Sequence, residues 1–255
     1  MQGWGRELEV AALAAQRAAE LALKYQPGIE AETKSDDSPV TKADRECERL
    51  IASLLIESFP DDGILGEEGA SIASKSGRRW IIDPIDGTRD YVRGNSLWAN
   101  LIALEIGDRI AAGVVNLPML GFLYTACHGG GAYRNGSPIH VSSKTEIDDS
   151  VLCFCGFSKV DCIPFKQHLV DWMARFWAVR GLGGATDSMM VASGQAEVFI
   201  EPHAKPWDFA PLKIIIEEAG GVFFNFDGGS SIYAGNCITC TPGLEGGIRC
   251  LLGVT

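Results

Sequence analysis

The stretch from Trp80 to Thr88 constrains the fold of this chain more than any other, because it places two carboxylates at the end of an apolar run. Its sequence is Trp-Ile-Ile-Asp-Pro-Ile-Asp-Gly-Thr. An unpaired carboxylate is unfavourable in a strand interior, and proline cannot donate a hydrogen bond to a neighbouring strand. We therefore expect a buried strand that ends after Ile82 and presents Asp83 and Asp86 in a turn.

The two residues that follow predict an anion-binding position beside these carboxylates. Gly87 and Thr88 offer backbone N–H groups where a helix is expected to begin, and such groups are natural partners for a phosphate. Carboxylate oxygens are the ligands that hard cations prefer. A cation site next to an anion-binding position indicates metal-assisted phosphate chemistry.

The apolar patterning predicts two halves of different architecture. In residues 1–145, a pair of helices accompanies a mixed or antiparallel sheet that carries most of the candidate metal ligands. Residues 146–255 alternate strands and helices, which is typical of an α/β layer. We expect helices near residues 6–25, 42–59, 164–176, 186–193, 208–219 and 244–252, and strands near residues 64–69, 80–82, 97–106, 110–115, 121–126, 132–133, 139–141, 151–157, 178–179, 196–200, 222–226 and 237–240. No long linker separates the halves, so they should pack as one structural unit.

Composition excludes several classes of function. The chain has 255 residues, of which 46% are hydrophobic, and a formal net charge of −11. No apolar run approaches the roughly 20 residues that span a bilayer, and the acidic balance argues against a nucleic-acid surface. The eight cysteines are scattered, and residues 1–7 lack the features of an export signal, so we expect reduced thiols in the cytoplasm. Cys237 and Cys240 have the spacing of a metal or redox pair, but their alternating context favours a strand.

Further acids lie at the ends of predicted elements. Asp208, taken alone, is best explained as the cap of the helix that follows it, because aspartate favours that position. Asp44 is similarly ambiguous, since with Thr41 it fits a capping box. Glu67 ends a short strand, however, and acids from distant element ends can converge on one cation.

Three segments together resemble the signatures of the inositol monophosphatase family. They are Gly66-Glu67-Glu68, residues 80–88, and residues 207–210 with 217–221. The similarity extends from about Ser38 to Gly221, with the motifs in the same order and at suitable spacing. It implies a magnesium-dependent phosphate monoesterase with an α-β-α-β-α sandwich fold, which acts on a small molecule as a homodimer.

The resemblance also implies a set of metal ligands. Glu67, Asp83 and the backbone carbonyl of Ile85 are similar to the ligands of a first Mg²⁺. Asp83, Asp86 and Asp208 are similar to those of a second, with Asp83 bridging the two. Some members of the family hold a third ion through the position of Glu67.

The remaining roles concern the phosphate, the water and the alcohol. By resemblance, the amides of Gly87 and Thr88 bind the phosphate, and Asp44 orients the Thr88 hydroxyl. Glu201 matches a position that contacts a substrate hydroxyl. The group that accepts a proton from the attacking water stays open between Glu67 and the pair formed by Thr88 and Asp44.

Residues 38–45, 59–68 and 97–104 resemble the histidinol-phosphate phosphatase branch of the family. That branch usually carries an aspartate near Gly184, and we expect Glu201 or Asp187 to compensate for its absence here. Histidinol phosphate is therefore the preferred substrate, with inositol monophosphate as a close rival. Sugar and nucleotide phosphates, and a catalytically silent metal-binding interaction protein, remain as alternatives.

Overall fold

The computed structural model describes residues 3–34 and 39–254 of the chain. Ser38, with which the similarity over residues 38–45 begins, lies outside the described residues. The same is true of Met1 and Gln2 in the N-terminal segment.

The described part of the chain contains runs of consecutive strands in its first half and a mixture of helices and strands in its second half. The helices are α1 (Gly5–Tyr25), α2 (Lys42–Ser58), α3 (Thr88–Val92), α4 (Leu169–Met173), α5 (Gly184–Ala192), α6 (Pro206–Glu218) and α7 (Pro242–Leu252). The strands are β1 (Ala31–Thr33), β2 (Pro39–Thr41), β3 (Gly63–Gly66), β4 (Ser71–Ile72), β5 (Arg78–Asp86), β6 (Ala99–Ile106), β7 (Arg109–Leu117), β8 (Phe122–Cys127), β9 (Gly131–Arg134), β10 (Ser137–Pro138), β11 (Val151–Phe154), β12 (Ala178–Arg180), β13 (Val198–Glu201), β14 (Val222–Phe224) and β15 (Cys237–Cys240).

The outermost layer of the first half is formed by α1 and α2. Both helices pack on one face of a sheet with the strand order β10-β9-β8-β7-β6-β5-β3-β4, in which β3 and β5 are parallel. The face that α1 turns towards the sheet consists largely of alanines, so the helix lies close to the strands. At the start of α2, the predicted capping box is confirmed: Thr41 N donates to Asp44 Oδ2 over 2.8 Å, and Thr41 Oγ1 accepts from Ala43 N.

The other face of this sheet packs against α5 and α6, which separate it from a second sheet with the order β12-β11-β13-β15-β14. Residues of α4 and α7 cover the outer face of the second sheet. Helix, sheet, helix, sheet and helix thus follow one another, which confirms the predicted α-β-α-β-α sandwich. A division into halves at residue 145 stays a prediction.

The cysteine pair and the helix lengths test two expectations from the sequence. Cys237 and Cys240 are both buried in β15, which confirms the strand. Within the described residues, no helix is long and apolar enough to cross a lipid bilayer.

The strands expected at residues 64–69 and 151–157 end early, at Gly66 and Phe154, and three other elements differ more strongly from the expectation. β5 does not end at Ile82 but continues to Asp86, with its register against β6 shifted between Asp83 and Asp86. Residues 164–176 form a 3₁₀ turn and the short α4 rather than one helix, because the N–H groups of Lys166 and His168 donate to carbonyls only three residues earlier in the chain. Residues 139–141 form no strand, since Val141 N donates to the carbonyl of Ala219 at the end of α6.

Candidate active site

Three carboxylates from different parts of the chain meet at one point. Asp83 and Asp86 come from the end of β5, and Asp208 comes from the first turn of α6. One oxygen of each lies within 4.8 Å of the others. Asp83 is only 1% exposed, whereas Asp86 and Asp208 are partly buried. The structure therefore brings together three of the predicted metal ligands.

The irregular end of β5 presents these acids. Asp83 Oδ1 accepts a hydrogen bond from Ile85 N over 3.0 Å, which tightens the backbone around Pro84. The side chain of Asn100 on β6 donates to the Pro84 carbonyl over 2.6 Å, where the proline interrupts the regular ladder. Asn100 had no role in the sequence analysis, although a fully buried amide in an otherwise apolar strand was a possible signal.

Asp208 combines two functions that the sequence left as alternatives. It lies at the third position of α6 rather than at the cap, because the helix begins at Pro206. Its carboxylate accepts a hydrogen bond from Lys205 N over 2.6 Å and at the same time reaches the cluster with Asp83 and Asp86. The interaction with the helix terminus therefore orients the carboxylate without removing it from the site.

The electrostatics of the cluster are unfavourable without a cation. Burial raises the pKa of Asp83 well above its usual value, and repulsion from Glu67, Asp208 and Asp86 raises it further. Burial likewise raises the pKa of Asp208, and that of Asp86 to about 6. Among the described residues, no lysine, arginine or histidine forms an ion pair with any of the three aspartates. The cluster thus has the charge and the oxygen donors that suit Mg²⁺, and no thiol or imidazole that would favour Zn²⁺.

Glu67 lies beside this cluster but is engaged elsewhere. Its negative charge is close enough to raise the pKa of Asp83, and Lys34 Nζ lies 2.8 Å from Glu67 Oε1. Lys34 also pairs with Glu68. Burial lowers the pKa of Lys34, but the bonds to the two glutamates outweigh it and keep the ammonium charged. Lys34 thus occupies one oxygen of a predicted metal ligand, a contact that was not apparent from the sequence.

Gly87 and Thr88 form the corner between β5 and α3. Gly87 has a φ of 86°, and a Cβ at this position would lie 2.8 Å from the carbonyl oxygen of Leu97, so only glycine fits. Thr88 Oγ1 lies 3.1 Å from Asp44 Oδ1 and 3.1 Å from the Ile85 carbonyl oxygen. Asp44, which is fully buried, therefore holds the Thr88 hydroxyl next to the backbone carbonyl predicted to bind metal.

Two candidate substrate residues, Gly184 and Glu201, lie near Asp86. Ala185 N at the start of α5 donates to Asp86 Oδ2 over 3.2 Å, and Gly184 leaves open space there, since a Cβ would meet only Asp86, at 4.0 Å. Glu201 at the end of β13 is 8% exposed, and burial raises its pKa to about 7. The nearby negative charge of Asp86 adds to this shift of the Glu201 pKa.

Asp187 is placed differently. Its carboxylate is fully buried and accepts hydrogen bonds from Leu182 N and Gly183 N over 3.0 to 3.3 Å. It therefore holds the loop that precedes α5. Contact between Asp187 and substrate stays a prediction. Glu201 is the better candidate for that contact, because it is 8% exposed whereas Asp187 is fully buried.

The chain is similar to known proteins over most of its length. A model of the inositol monophosphatase family matches residues 5–250. The histidinol-phosphatase of Chlorobaculum parvum is 43% identical over 233 residues, covering 90% of this chain and 89% of that protein. The inositol-1-monophosphatase of Mesorhizobium japonicum is 36% identical over 219 residues and covers 82% of each protein. In the crystal structure of the extragenic suppressor protein suhB from Bartonella henselae, the fold matches with a TM-score of 0.89 at 29% identity, covering 97% of this chain and 98% of that one.

Proposed function

The chain belongs to the inositol monophosphatase family, and from that premise we propose that this phosphoric monoester hydrolase cleaves histidinol phosphate with the help of two or three Mg²⁺ ions. The observation that carries the proposal is the convergence of Asp83, Asp86 and Asp208 within 4.8 Å of one another. It lies next to the Gly87 corner, where backbone N–H groups are available to a phosphate.

The protein side of the reaction follows from the contacts already described. Asp83, Asp86 and Asp208 would hold the cations, joined by Glu67 and the carbonyl of Ile85. Bound Mg²⁺ would neutralise the phosphate oxygens and make a water molecule more acidic. The amides of Gly87 and Thr88 would orient the phosphoryl group for in-line attack.

The hydroxyl of Thr88 is the best-placed group to orient the attacking water. When Thr88 Oγ1 donates its hydrogen to Asp44 Oδ1, its lone pairs are free to accept a hydrogen bond from water. Three hydrogen bonds from Thr41 and Thr88 stabilise the Asp44 carboxylate, although burial raises its pKa. Glu67 remains the rival for proton transfer, and its ion pair with Lys34 would have to open for that role.

The identity of the alcohol rests on the relatives and on Glu201. The relative with 43% identity is named histidinol-phosphatase, and two further histidinol-phosphatases are 36% identical. Histidinol carries an ammonium group, and the buried carboxylate of Glu201 is a suitable partner for a cation. Inositol monophosphate is the second candidate, since a relative with 36% identity is named for it and Glu201 could equally accept a hydrogen bond from a ring hydroxyl.

The proposal includes a homodimer in the cytoplasm. Phe157, Val170 and Trp177 are each more than 60% exposed, which is unusual for large apolar side chains and is consistent with a partner surface in the second half. All eight cysteines are free thiols. Light scattering of the purified protein would measure the mass, and a monomer at micromolar concentration would contradict the dimer.

A panel of monoesters tests the substrate directly. The purified protein with Mg²⁺ would be assayed on histidinol phosphate, inositol 1-phosphate, fructose 1,6-bisphosphate and adenosine 2′-phosphate. We expect phosphate release from several of them and the highest kcat/KM for histidinol phosphate. A higher value for inositol 1-phosphate would replace the first candidate by the second, and no release from any ester would favour a silent metal-binding protein.

A further inference from the structure

A buried glutamate outside the metal cluster, Glu48 on α2, makes the contacts that shape the turn next to it. Glu48 Oε2 accepts a hydrogen bond from Glu68 N over 2.7 Å, and Glu48 Oε1 accepts one from Ala70 N over 2.7 Å. The residue is only 3% exposed, and it forms no ion pair with any of the residues that the structure describes. Each oxygen of this buried carboxylate thus accepts a hydrogen bond from the backbone of one turn.

This turn carries Glu67. It connects β3 to β4, and Gly66 N closes it by donating to the carbonyl of Ala70 over 2.8 Å. Glu67 N donates to the carbonyl of Ile82 on β5, one residue before Asp83. The position of the Glu67 side chain relative to Asp83 therefore depends on the geometry of this turn, and Glu48 forms hydrogen bonds with the backbone of the turn.

The local sequence leaves room for this contact. Gly66 has no side chain, and a Cβ at that position would lie 2.3 Å from Glu48 Oε2. The glycine at position 66 is thus required for the carboxylate to reach the turn rather than for an unusual backbone angle.

Glu48 also lies one helical turn after Asp44, on the same buried face of α2. Asp44 holds Thr88 at the start of α3, and Glu48 holds the turn of Glu67. One helix therefore supports both sides of the candidate site through two carboxylates that are not themselves among the metal-ligand candidates.

We propose that Glu48 is a positioning residue that fixes the turn of residues 67–70 and thereby presents Glu67 to the metal site. The inference rests on the proposed function, because that function places Glu67 at the metal site. Glu48 had no candidate role from its sequence context. Groups that hold a metal ligand in place typically contribute to metal affinity as well as to activity.

Calorimetric titration of Mg²⁺ into the metal-free, full-length protein tests this role without relying on turnover. We expect Glu48→Gln to raise the Kd for Mg²⁺ by about tenfold or more, because the side-chain amide repels one of the two backbone N–H groups. The matched control is Asp62→Asn, which changes another buried carboxylate at the opposite end of β3. That control should lower the melting temperature but leave the Kd for Mg²⁺ unchanged.

A second variant protects the test against loss of folding. Gly66→Ala keeps the charge of Glu48 but displaces its carboxylate from the turn, so it should weaken Mg²⁺ binding in the same direction. Wild-type affinity in a folded Glu48→Gln protein would overturn the proposal, as would failure of both variants to fold, which would make the role structural. Failure of the wild-type protein to bind Mg²⁺ would instead contradict the proposed function itself.

Discussion

Buried carboxylates lie at both ends of the parallel strands β3 and β5, and their surroundings are opposite. At one end, Asp62 accepts hydrogen bonds from Ser76 Oγ, Arg78 Nε and Trp80 Nε1 over 2.7 to 3.1 Å. At the other end, Asp83 is surrounded by further acids, and both its burial and their repulsion raise its pKa. The first carboxylate is satisfied within the protein, whereas the second group needs a cation from outside. Burial of an acid therefore does not by itself indicate a functional site, but burial among other acids does.

The largest expected effect on activity comes from exchanging Asp83 for asparagine. Asp83→Asn removes a negative charge from the centre of the cluster, and we expect kcat/KM to fall by about 10³-fold or more. Because the substitution also removes repulsion, the metal-free variant should melt no lower than the wild type. Steady-state assays with Mg²⁺ and thermal unfolding without it measure the two quantities.

Asp62→Asn should show the reverse pattern. The loss of charge weakens the contacts with Arg78 and Trp80, so the free energy of unfolding should fall by about 1–3 kcal/mol, while kcat/KM of the folded fraction stays near the wild-type value. A large loss of activity in this variant, or full activity in Asp83→Asn, would contradict the distinction between a structural carboxylate at one end of β3 and β5 and a cation-binding group at the other.

The next effect concerns the hydroxyl of Thr88. Thr88→Ala removes the group between Asp44 and the phosphate position, and we expect kcat to fall by about 10²-fold. Thr88→Ser keeps a hydroxyl at the same place and should recover most of the rate. Equal rates in the alanine and serine variants would show that the hydroxyl has no part in orienting water.

A smaller effect should separate the candidate substrates. Glu201→Gln removes the charge that would pair with the ammonium group, and we expect kcat/KM for histidinol phosphate to fall by about tenfold. Inositol 1-phosphate carries no ammonium group, so its kcat/KM should fall less. Glu197→Gln is the matched control, because Glu197 is also buried near β13 but accepts a hydrogen bond from Val151 N. An equal loss for both esters would argue against a cation partner at Glu201.

The smallest effect is a pH dependence of stability. Burial raises the pKa of Asp86 to about 6 from an ordinary value of 3.8, so the folded protein binds a proton more tightly than the unfolded chain does. The metal-free protein should therefore lose stability as the pH rises from about 4 to about 6. Added Mg²⁺ should raise the melting temperature most above this range, where the carboxylate is ionised.

Asp86→Asn serves as the control for this pH dependence. It should flatten the dependence of the melting temperature on pH in the metal-free protein. A metal-free wild type that becomes more stable between pH 4 and pH 6 would contradict the assignment of the raised pKa to this cluster.

The sequence allowed much of this site to be predicted, because its acids stand next to residues with distinctive backbone requirements. Pro84 and Gly87 mark the irregular end of β5, and the capping-box pattern of Thr41 and Asp44 was visible directly. The extension of β5 to Asp86 was not, since a bulge in register depends on the partner strand. The family resemblance supplied the convergence of Asp208 with β5, which local patterns alone left as a helix cap.

Other parts of the site could not be predicted because they depend on tertiary contacts. Lys34 and Glu48 lie in ordinary polar surroundings in the sequence, and only the fold brings them to the turn of Glu67. In the loop between β8 and β9, Gly129 N and Gly131 N both donate to the carboxylate of Glu218 over 2.8 Å. The backbone N–H groups of that loop therefore already bind a carboxylate from α6.

The most direct test of the cation site is an anomalous diffraction measurement on crystals of the wild-type protein grown with Mn²⁺ in place of Mg²⁺. The account predicts anomalous peaks bounded by the carboxylates of Asp83, Asp86 and Asp208, and their loss in crystals of Asp83→Asn. A Mn²⁺-active enzyme whose crystals show no peak at these three residues would contradict it.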